Sequence, residues 1–296
     1  MKKCVLLSIV AVAISIFPLA PFAFSATQTF EITKNSLLDK TAFSLSFSLC
    51  GARVTIRRIN DDNTIVKADV TYKTTQWEQL EPKLATESSG NTFIAKFRSG
   101  LRALPYTNAN IEEWDIAIGN YDVATDLNIT CSSVSAAINL GGLPLTQCTL
   151  TLRQGTAEID FDAPTTRPVE QFRVNGHAMN LSITNIGNTD FASFDLTGLG
   201  GTADLDFEGF YEAQEHNAQI ITTAMIFNIT VPFDAGEQVG VLPLSLPIVV
   251  VPRSEWNRDL WLPFFQRHST NDYNTQNIKI NLGITSIGSF GMVVRD

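Results

Sequence analysis

Apolar and polar residues alternate one by one along many short segments of the chain. In 155–161, Ile159 and Phe161 alternate with charged residues, and in 201–207 Leu205 and Phe207 do the same. A period of two predicts β-strands that bury one face and expose the other to water. Polar or glycine-containing turns separate these segments. No long helical period is visible, so the pattern predicts an all-β protein.

The alternating segments recur at a nearly constant interval. Each contains an alanine close to a glycine or another small residue, and successive alanines lie 21, 21, 25 and 21 residues apart: Ala136, Ala157, Ala178, Ala203 and Ala224. A repeat of about 21 residues with two short strands is typical of a β-solenoid, in which each rung covers the apolar face of the next. An antiparallel sandwich or barrel, with strands about every 8–12 residues, is the alternative.

One continuous domain accounts for residues 26–296, because no Pro- or Ser-rich linker interrupts the chain. The repeat blurs between residues 60 and 125, which predicts an atypical N-terminal cap. Residues 243–276 are rich in aromatic side chains and predict an irregular excursion that caps the C-terminal end. Residues 277–296 alternate again and predict the last rung.

The first 25 residues have the features of a secretory signal peptide. Lys2 and Lys3 precede an apolar run over 4–17, and small residues follow at Ala23, Ser25 and Ala26. The run is shorter than the roughly 20 apolar residues of a transmembrane helix. We therefore expect cleavage after Ser25, with Ala26 as the alternative, and an exported protein without a transmembrane anchor, in the periplasm or at the cell surface.

The charge balance narrows the class of partner. The signal segment holds two lysines and no acidic residue, so the rest of the chain has 19 cationic residues (21 − 2) against 30 acidic ones, a net charge of −11. Nucleic-acid binding requires a basic surface, so this composition argues against a nucleic-acid partner.

Three cysteines remain after export: Cys50, Cys131 and Cys148. An oxidising compartment permits a disulfide, and Cys131 with Cys148 is the pair closest in sequence. The alternative is that all three are small buried apolar side chains.

No catalytic constellation and no cofactor motif is visible. The three histidines lack zinc-site spacing, and no Gly-x-Ser-x-Gly or phosphate-binding loop occurs. The acidic residues of the repeats lie on the outward face: Glu158, Asp160, Asp162, Asp204 and Asp206. They are compatible with Ca²⁺ binding or with a carboxylate pair of a polysaccharide-acting enzyme. Because Asn180 and Ser182 occupy the intervening rung, a solvated polar face is the favoured interpretation.

A second binding candidate is the aromatic group of residues 243–276. Aromatic and Arg side chains are enriched in binding hot spots, and aromatic rings stack on sugars. The group consists of Trp256, Trp261, Phe264, Phe265, Tyr273 and Arg267. The favoured interpretation of this group is that it caps the open end of the solenoid, with a partner-binding surface as the alternative.

Several of these segments resemble the toastrack domain family, which is related to LiaF-type cell-wall-stress domains and adhesin-like domains of bacteria. The resemblance rests on 114–118, 155–161, 185–188, 201–209 and the end of the chain at 264–291. It implies a stacked β architecture and offers no catalytic residues to carry over. The chain has no run of helices beside the domain, in contrast to a common layout of that family.

The sequence therefore predicts an exported, non-catalytic structural or binding module of the bacterial cell envelope, adhesive or related to envelope stress. Its partner would be an envelope protein or a glycan. A polysaccharide-acting β-helical enzyme and a Ca²⁺-stabilised surface scaffold are the alternatives.

Overall fold

A computed structural model of the chain describes residues 24–74, 81–100, 112–213, 215–243, 248–250, 256–262 and 265–296. These residues form eighteen β-strands and two four-residue 3-10 helices, Lys34–Leu37 and Ile186–Thr189. The predicted signal peptide lies outside the described residues except for its last two positions.

The strands follow one another along the chain with short connections. The first nine are β1 (Phe24–Thr33), β2 (Ala42–Cys50), β3 (Ala52–Arg58), β4 (Thr64–Thr74), β5 (Lys83–Ser89), β6 (Thr92–Arg98), β7 (Glu112–Ile118), β8 (Ala124–Asn139) and β9 (Leu145–Asp160). The other nine are β10 (Gln171–Thr184), β11 (Ser193–Asp206), β12 (Glu215–Val231), β13 (Gly236–Pro243), β14 (Ile248–Val250), β15 (Trp256–Leu262), β16 (Phe265–Thr270), β17 (Lys279–Ile287) and β18 (Phe290–Arg295).

The long strands β8 to β12 stack in parallel, in chain order, and each forms one rung. Every rung bends near its middle. The first halves, with β2, β6, β13 and β17, form what we call the front layer. The second halves, with β3, β7, β14 and β18, form the back layer. The predicted β-solenoid is thus confirmed.

At the bends of several rungs one residue lies in the left-handed region, with φ between 50° and 70°: Gly51, Gln154, Ala178, Gly200, Ala224 and Gly288. The sequence-based alignment of the repeats was partly wrong here. Ala178 and Ala224 lie at the bend, whereas Ala157 lies within the back layer and pairs with Leu181. From Gln154 onward, successive bends are 24, 22 and 24 residues apart. Loops of unequal length between rungs explain the deviation from a constant period.

The C-terminal segment is not the last rung in space. Strands β17 and β18 insert between the rung of β12 and the strands β13 and β14. The other end shows a similar exchange, because β6 and β7 stack outside β2 and β3, which precede them in sequence. Sequence order and stacking order therefore differ at both ends of the solenoid.

Antiparallel strands close the ends. At the N-terminal end β5 covers β6 in the front layer, and β4 with β1 covers β7 in the back layer. At the C-terminal end β16 pairs with β13, and β15 pairs with β16. The described part of 243–276, predicted to be irregular, is thus largely an ordered hairpin. Its pairing with β13 covers the edge of the front layer.

A single apolar core runs between the two layers. Phenylalanine rings contact one another edge to face along it. Phe194 of the front layer lies 5.1 Å from Phe172 and 5.4 Å from Phe207, measured between ring centroids. Each such pair contributes about 0.5–1.5 kcal/mol beyond the burial of its area.

The proposed Cys131–Cys148 disulfide is not formed. Both residues are buried free thiols on neighbouring rungs. Cys131 lies opposite Leu152, and Cys148 lies opposite Leu127, so the two cysteines are offset by four residues along the strands. At about 3.3 Å per residue this offset exceeds the reach of a disulfide. The alternative, that they act as small apolar side chains, agrees with their burial.

Candidate functional site

Among the outward acidic residues, Asp160 and Asp204 accept hydrogen bonds from polar neighbours. Ser182 lies between Glu158 and Asp204, as the repeat pattern predicted. Thr184 donates a hydrogen bond of 2.7 Å to Asp160, and Asn228 donates one of 2.7 Å to Asp204. Within the described ranges, no group of three or more His, Cys, Asp or Glu side chains is placed to hold a metal ion.

The described members of the predicted aromatic group differ in burial. Trp256 is 4% exposed and contributes to the core under the C-terminal hairpin. Tyr273 is half-buried, and its hydroxyl donates to Asn281 Oδ1 at 3.0 Å. Phe264 and the side chains of Trp261 and Phe265 lie outside the described residues. The structure therefore supports the capping interpretation for Trp256 and leaves Tyr273 and Arg267 as binding candidates.

Arg267 borders a depression of about 640 Å³ on the front layer, at the C-terminal end. The depression crosses β11, β12, β17, β13 and β16. One row of outward positions runs through it from strand to strand. The row consists of Asp195, Gln219, Gly283, Gly240 and Arg267, each directly opposite the next.

Two neighbouring glycines form the floor of the depression. On the N-terminal side, the same row carries side chains at every rung, such as Thr149 and Arg173. Neither Gly240 nor Gly283 has a positive φ, so the backbone does not require glycine there. A Cβ on Gly283 would have its nearest neighbour at 3.5 Å, an ordinary van der Waals contact. Strand glycines cost stability and are often found where a ligand or another backbone approaches closely, so this pair makes the depression the candidate binding site.

Amide side chains form one wall of the depression: Asn217, Asn281 and Gln238, which are opposite one another on consecutive strands. Asn281 is held in place from two sides. Its Nδ2 donates to Glu215 Oε1 at 2.9 Å, and its Oδ1 accepts from Tyr273. Burial, followed by the nearby Glu215 carboxylate, raises the pKa of Tyr273, which keeps its hydroxyl a donor. Tyr273 therefore positions Asn281.

The two ends of the row carry opposite charges. Asp195 lies on β11 and accepts a hydrogen bond of 3.2 Å from Gln171. Arg267 lies on β16, four strands away, which corresponds to about 19 Å at the usual strand spacing. Thr285 and Leu242, opposite each other on β17 and β13, form the second wall. The depression is thus polar on one side, partly apolar on the other and cationic at one end.

Sequence reasoning identified Arg267 and Tyr273 but not the two glycines or the amide wall. Gly240 and Gly283 stand at outward positions of two alternating segments, where a polar side chain is expected. These missing side chains were the sequence signal for the floor of the depression. Nothing local shows that the two segments are neighbours, because β17 reaches β13 only through the insertion of the C-terminal strands.

A buried charge cluster lies next to the site, at the end of the core. Arg295 donates to Asp272 Oδ2 at 2.9 Å, and its Nε lies 3.4 Å from Glu237 Oε2. The Glu237 side chain is 0% exposed, and neither of its oxygens accepts a hydrogen bond from any residue described. Burial raises the pKa of Glu237 to about 8, although the Arg295 charge acts in the opposite direction.

Exposed apolar side chains concentrate at the same end of the molecule. On the back layer Ile226 lies opposite Phe290, and Met292 lies opposite Val250. These four side chains are between 37% and 53% exposed. Of the large apolar side chains found exposed in the described segments, all but Leu38 lie at or beyond position 199. Apolar surface of this kind commonly marks an interaction end of a protein.

No described helix has the length and apolar character needed to cross a membrane. No family model matches the chain, and no curated protein matches it. Solved structures that resemble it include a proposed cell adhesion protein of Clostridium sporogenes, with 13% identity and a TM-score of 0.45 over 92% of this chain and 100% of that one. A proposed adhesin of Bacteroides fragilis has 11% identity and a TM-score of 0.34, over 92% and 98% of the two chains.

A proposed adhesin of Parabacteroides distasonis has 10% identity and a TM-score of 0.25, over 91% of this chain and 97% of that one. At such identities, and with TM-scores below 0.5, these proteins say nothing about the ligand of this chain. The stacked β architecture seen in the structure agrees with the one that the toastrack resemblance implies.

Proposed function

We propose that the protein is an exported, non-catalytic binding module of the bacterial cell envelope with an adhesive role. Its binding site is the depression above Gly240 and Gly283. The observation that carries this proposal is the glycine pair itself. Two adjacent strands carry no side chain here, on a face where other rungs do. Neither glycine has a positive φ, and a Cβ on Gly283 would make ordinary van der Waals contacts.

The composition of the depression favours binding over hydrolysis. A glycosidase requires two carboxyl groups about 5–10 Å apart across the scissile bond. The described lining of the depression contains one carboxylate, that of Asp195, and so lacks such a pair. The charged group at the other end of the row is the cation Arg267, about 19 Å away at the usual strand spacing. Amide side chains, which both donate and accept hydrogen bonds, form the wall. These groups can orient a polar ligand but provide no general acid and base pair.

Export is the second part of the proposal, and it rests on residues 1–25. Their two lysines, apolar run and small-residue end have the order of a signal peptide. Secretion of the full chain, followed by N-terminal sequencing of the secreted product, tests this part. A mature N-terminus at Ala26 or Thr27 supports it, whereas a product that stays in the cytoplasm overturns it.

Surface capture tests the binding role. The secreted protein, fluorescently labelled, is applied to intact bacterial cells, purified peptidoglycan sacculi and an array of immobilised glycans and extracellular proteins. Wild-type protein should be retained by at least one of these surfaces. Gly283→Gln fills the depression and should reduce retention at least tenfold.

Thr149→Gln is the matched control, because it adds the same side chain in the same row, outside the depression. It should leave retention unchanged. Equal retention of Gly283→Gln and wild type would show that the depression is not the binding site. Retention by none of the surfaces would refute the adhesive role.

A further inference from the structure

We propose that the depression binds a hexuronic acid unit, a pyranose ring with a carboxylate, as part of an acidic glycan. This inference rests on the proposed binding function and adds the chemical class of the ligand. Three features of the site lead to it: a flat floor without free hydrogen-bonding groups, a wall of fixed amides and a guanidinium at one end.

The floor suits the apolar face of a sugar ring. Strand β17 pairs with β12 on one side and β13 on the other, so its backbone N–H and C=O groups bond within the sheet. At Gly283 and Gly240 the sheet presents Cα hydrogens, and the side-chain oxygen of Gln219 borders the floor, 3.5 Å from where a Cβ of Gly283 would lie. A pyranose presents axial C–H groups on one face, and this face can lie on such a floor without leaving a polar group unsatisfied.

The dimensions of the floor limit the ligand to about one or two rings. Gln219 and Arg267 bound it across the strands and lie three strand spacings apart, about 14 Å. Gln238 and Leu242 bound it along β13 and are four residues apart, about 13 Å. A cavity of about 640 Å³ is in the usual range for small-molecule and sugar sites.

The amide wall matches ring hydroxyls, which also both donate and accept. Asn281 is fixed by Glu215 and by Tyr273, so its orientation is set before a ligand arrives. Gln238 lies beside Asn281 and faces the same space. Pre-positioned amides lose little conformational freedom on binding and reject ligands that lack the matching hydroxyl groups.

Arg267 supplies the selectivity for a carboxylate. It lies opposite Gly240, next to the floor, and its side chain is exposed. A guanidinium binds a carboxylate through two parallel hydrogen bonds, which are stronger than neutral ones. Asp195, at the other end of the row, lies opposite Arg173 on β10 and bears the one carboxylate of the described lining. Arg267 therefore draws the acidic group of the ligand toward β16.

Calorimetry with defined oligosaccharides tests the inference. The probes are tetramers of galacturonate, glucuronate, mannuronate and guluronate, the carboxyl-reduced form of each, and tetraglutamate as a non-sugar polyanion. At least one uronate tetramer should bind the full-length secreted protein at least tenfold more tightly than its carboxyl-reduced form and than tetraglutamate. Arg267→Gln should remove this preference, and Gly283→Gln should abolish binding. Thr149→Gln should change nothing.

The outcomes separate this inference from the proposed function. If the protein is retained on surfaces but binds no uronate tetramer, the ligand class is wrong and the binding role stands. Equal affinity for a uronate tetramer and its carboxyl-reduced form overturns the role of Arg267 and the acidic class. Tighter binding of tetraglutamate assigns the site to acidic polypeptides and overturns the sugar. If Gly283→Gln binds the uronate tetramer as tightly as wild type does, the sugar binds outside the depression.

Discussion

Replacing Glu237 by Gln should stabilise the protein at neutral and alkaline pH and have little effect near pH 4. Glu237 lies on β13 at the end of the core, with both carboxylate oxygens buried and its nearest cation, Arg295, at 3.4 Å. Asp272 also contacts Arg295, at 2.9 Å, so one guanidinium serves two carboxylates. Gln has nearly the same shape as the protonated Glu side chain that this site favours.

The magnitude follows from the pKa of Glu237, which burial raises from 4.5 to about 8. The folded protein keeps a proton that the unfolded chain releases above pH 4.5. Stability from this group is therefore fully present below pH 4.5 and is lost as pH rises to about 8. Each pH unit in this window costs about 1.4 kcal/mol, so the loss at pH 7 is roughly 3 kcal/mol. Gln, which does not titrate, avoids this loss.

Asp272 makes stability depend on pH in a lower range than Glu237 does. Burial raises its pKa, but hydrogen bonds from Gln276, Arg295 and Thr270 and the Arg295 charge outweigh this effect and lower it to about 2. Its contribution to stability is thus present above pH 3.8 and is lost as pH falls through about 2. The combined contribution of these two carboxyl groups to stability is therefore greatest near pH 4.

Urea denaturation followed by circular dichroism at pH 4, 5.5, 7 and 8.5 measures the effect. The difference in unfolding free energy between Glu237→Gln and wild type should be near zero at pH 4 and rise by roughly 1.4 kcal/mol per pH unit from about pH 5 to 8. Glu113→Gln, at an exposed glutamate, is the control and should show no such rise. A difference that does not depend on pH, or a variant that is less stable at pH 8.5, would refute the reasoning.

Three further predictions concern the bend, the floor and the C-terminal rung. Ala224→Gly should raise the thermal midpoint, with a gain of up to about 1 kcal/mol, because Ala224 has a φ of 50°, whereas Ala203→Gly within a strand should lower it. Gly283→Ala should leave stability unchanged or raise it by up to about 1 kcal/mol in chemical denaturation while weakening retention on surfaces, since its Cβ has ordinary contacts. A chain that ends at residue 276 should lose its cooperative thermal transition, because β17 and β18 separate β12 from β13 and β14.

The repeat could be read from the sequence because strand alternation is local. The buried face of a strand can be predicted from the strand's own residues, such as Ile159 and Phe161 or Leu205 and Phe207. Which residues of neighbouring rungs lie opposite each other was harder to predict from the sequence. A constant period placed Ala178 beside Ala157, whereas the structure places Leu181 there. Loops of different length between rungs shift the register without disturbing the alternation inside any strand.

The order of the strands at the two ends of the solenoid could not be predicted from the sequence. Strands β13 and β17 show similar alternation, and either could have stacked on β12. Which one does so depends on how each fits the exposed edge of the growing stack, which is a property of the tertiary structure. Arg267 and Tyr273 could be identified from the sequence because Arg and aromatic residues are common in binding sites. The pairing of Gly240 with Gly283 could not, because it depends on the stacking order of β13 and β17.

The insertion of the C-terminal rung links the fold to the proposed site. Strand β17 brings Gly283 and Asn281 between Gln219 on β12 and Gly240 on β13. If β13 stacked directly on β12, the floor would be one glycine wide and the wall would lack Asn281, which Tyr273 holds in place. Strand β18 continues the same segment and ends at Arg295, which contacts Asp272 and Glu237 in the core. The buried charge cluster thus anchors the strands that complete the depression. A perturbation of Arg295 should therefore weaken binding as well as stability, although Arg295 does not line the depression.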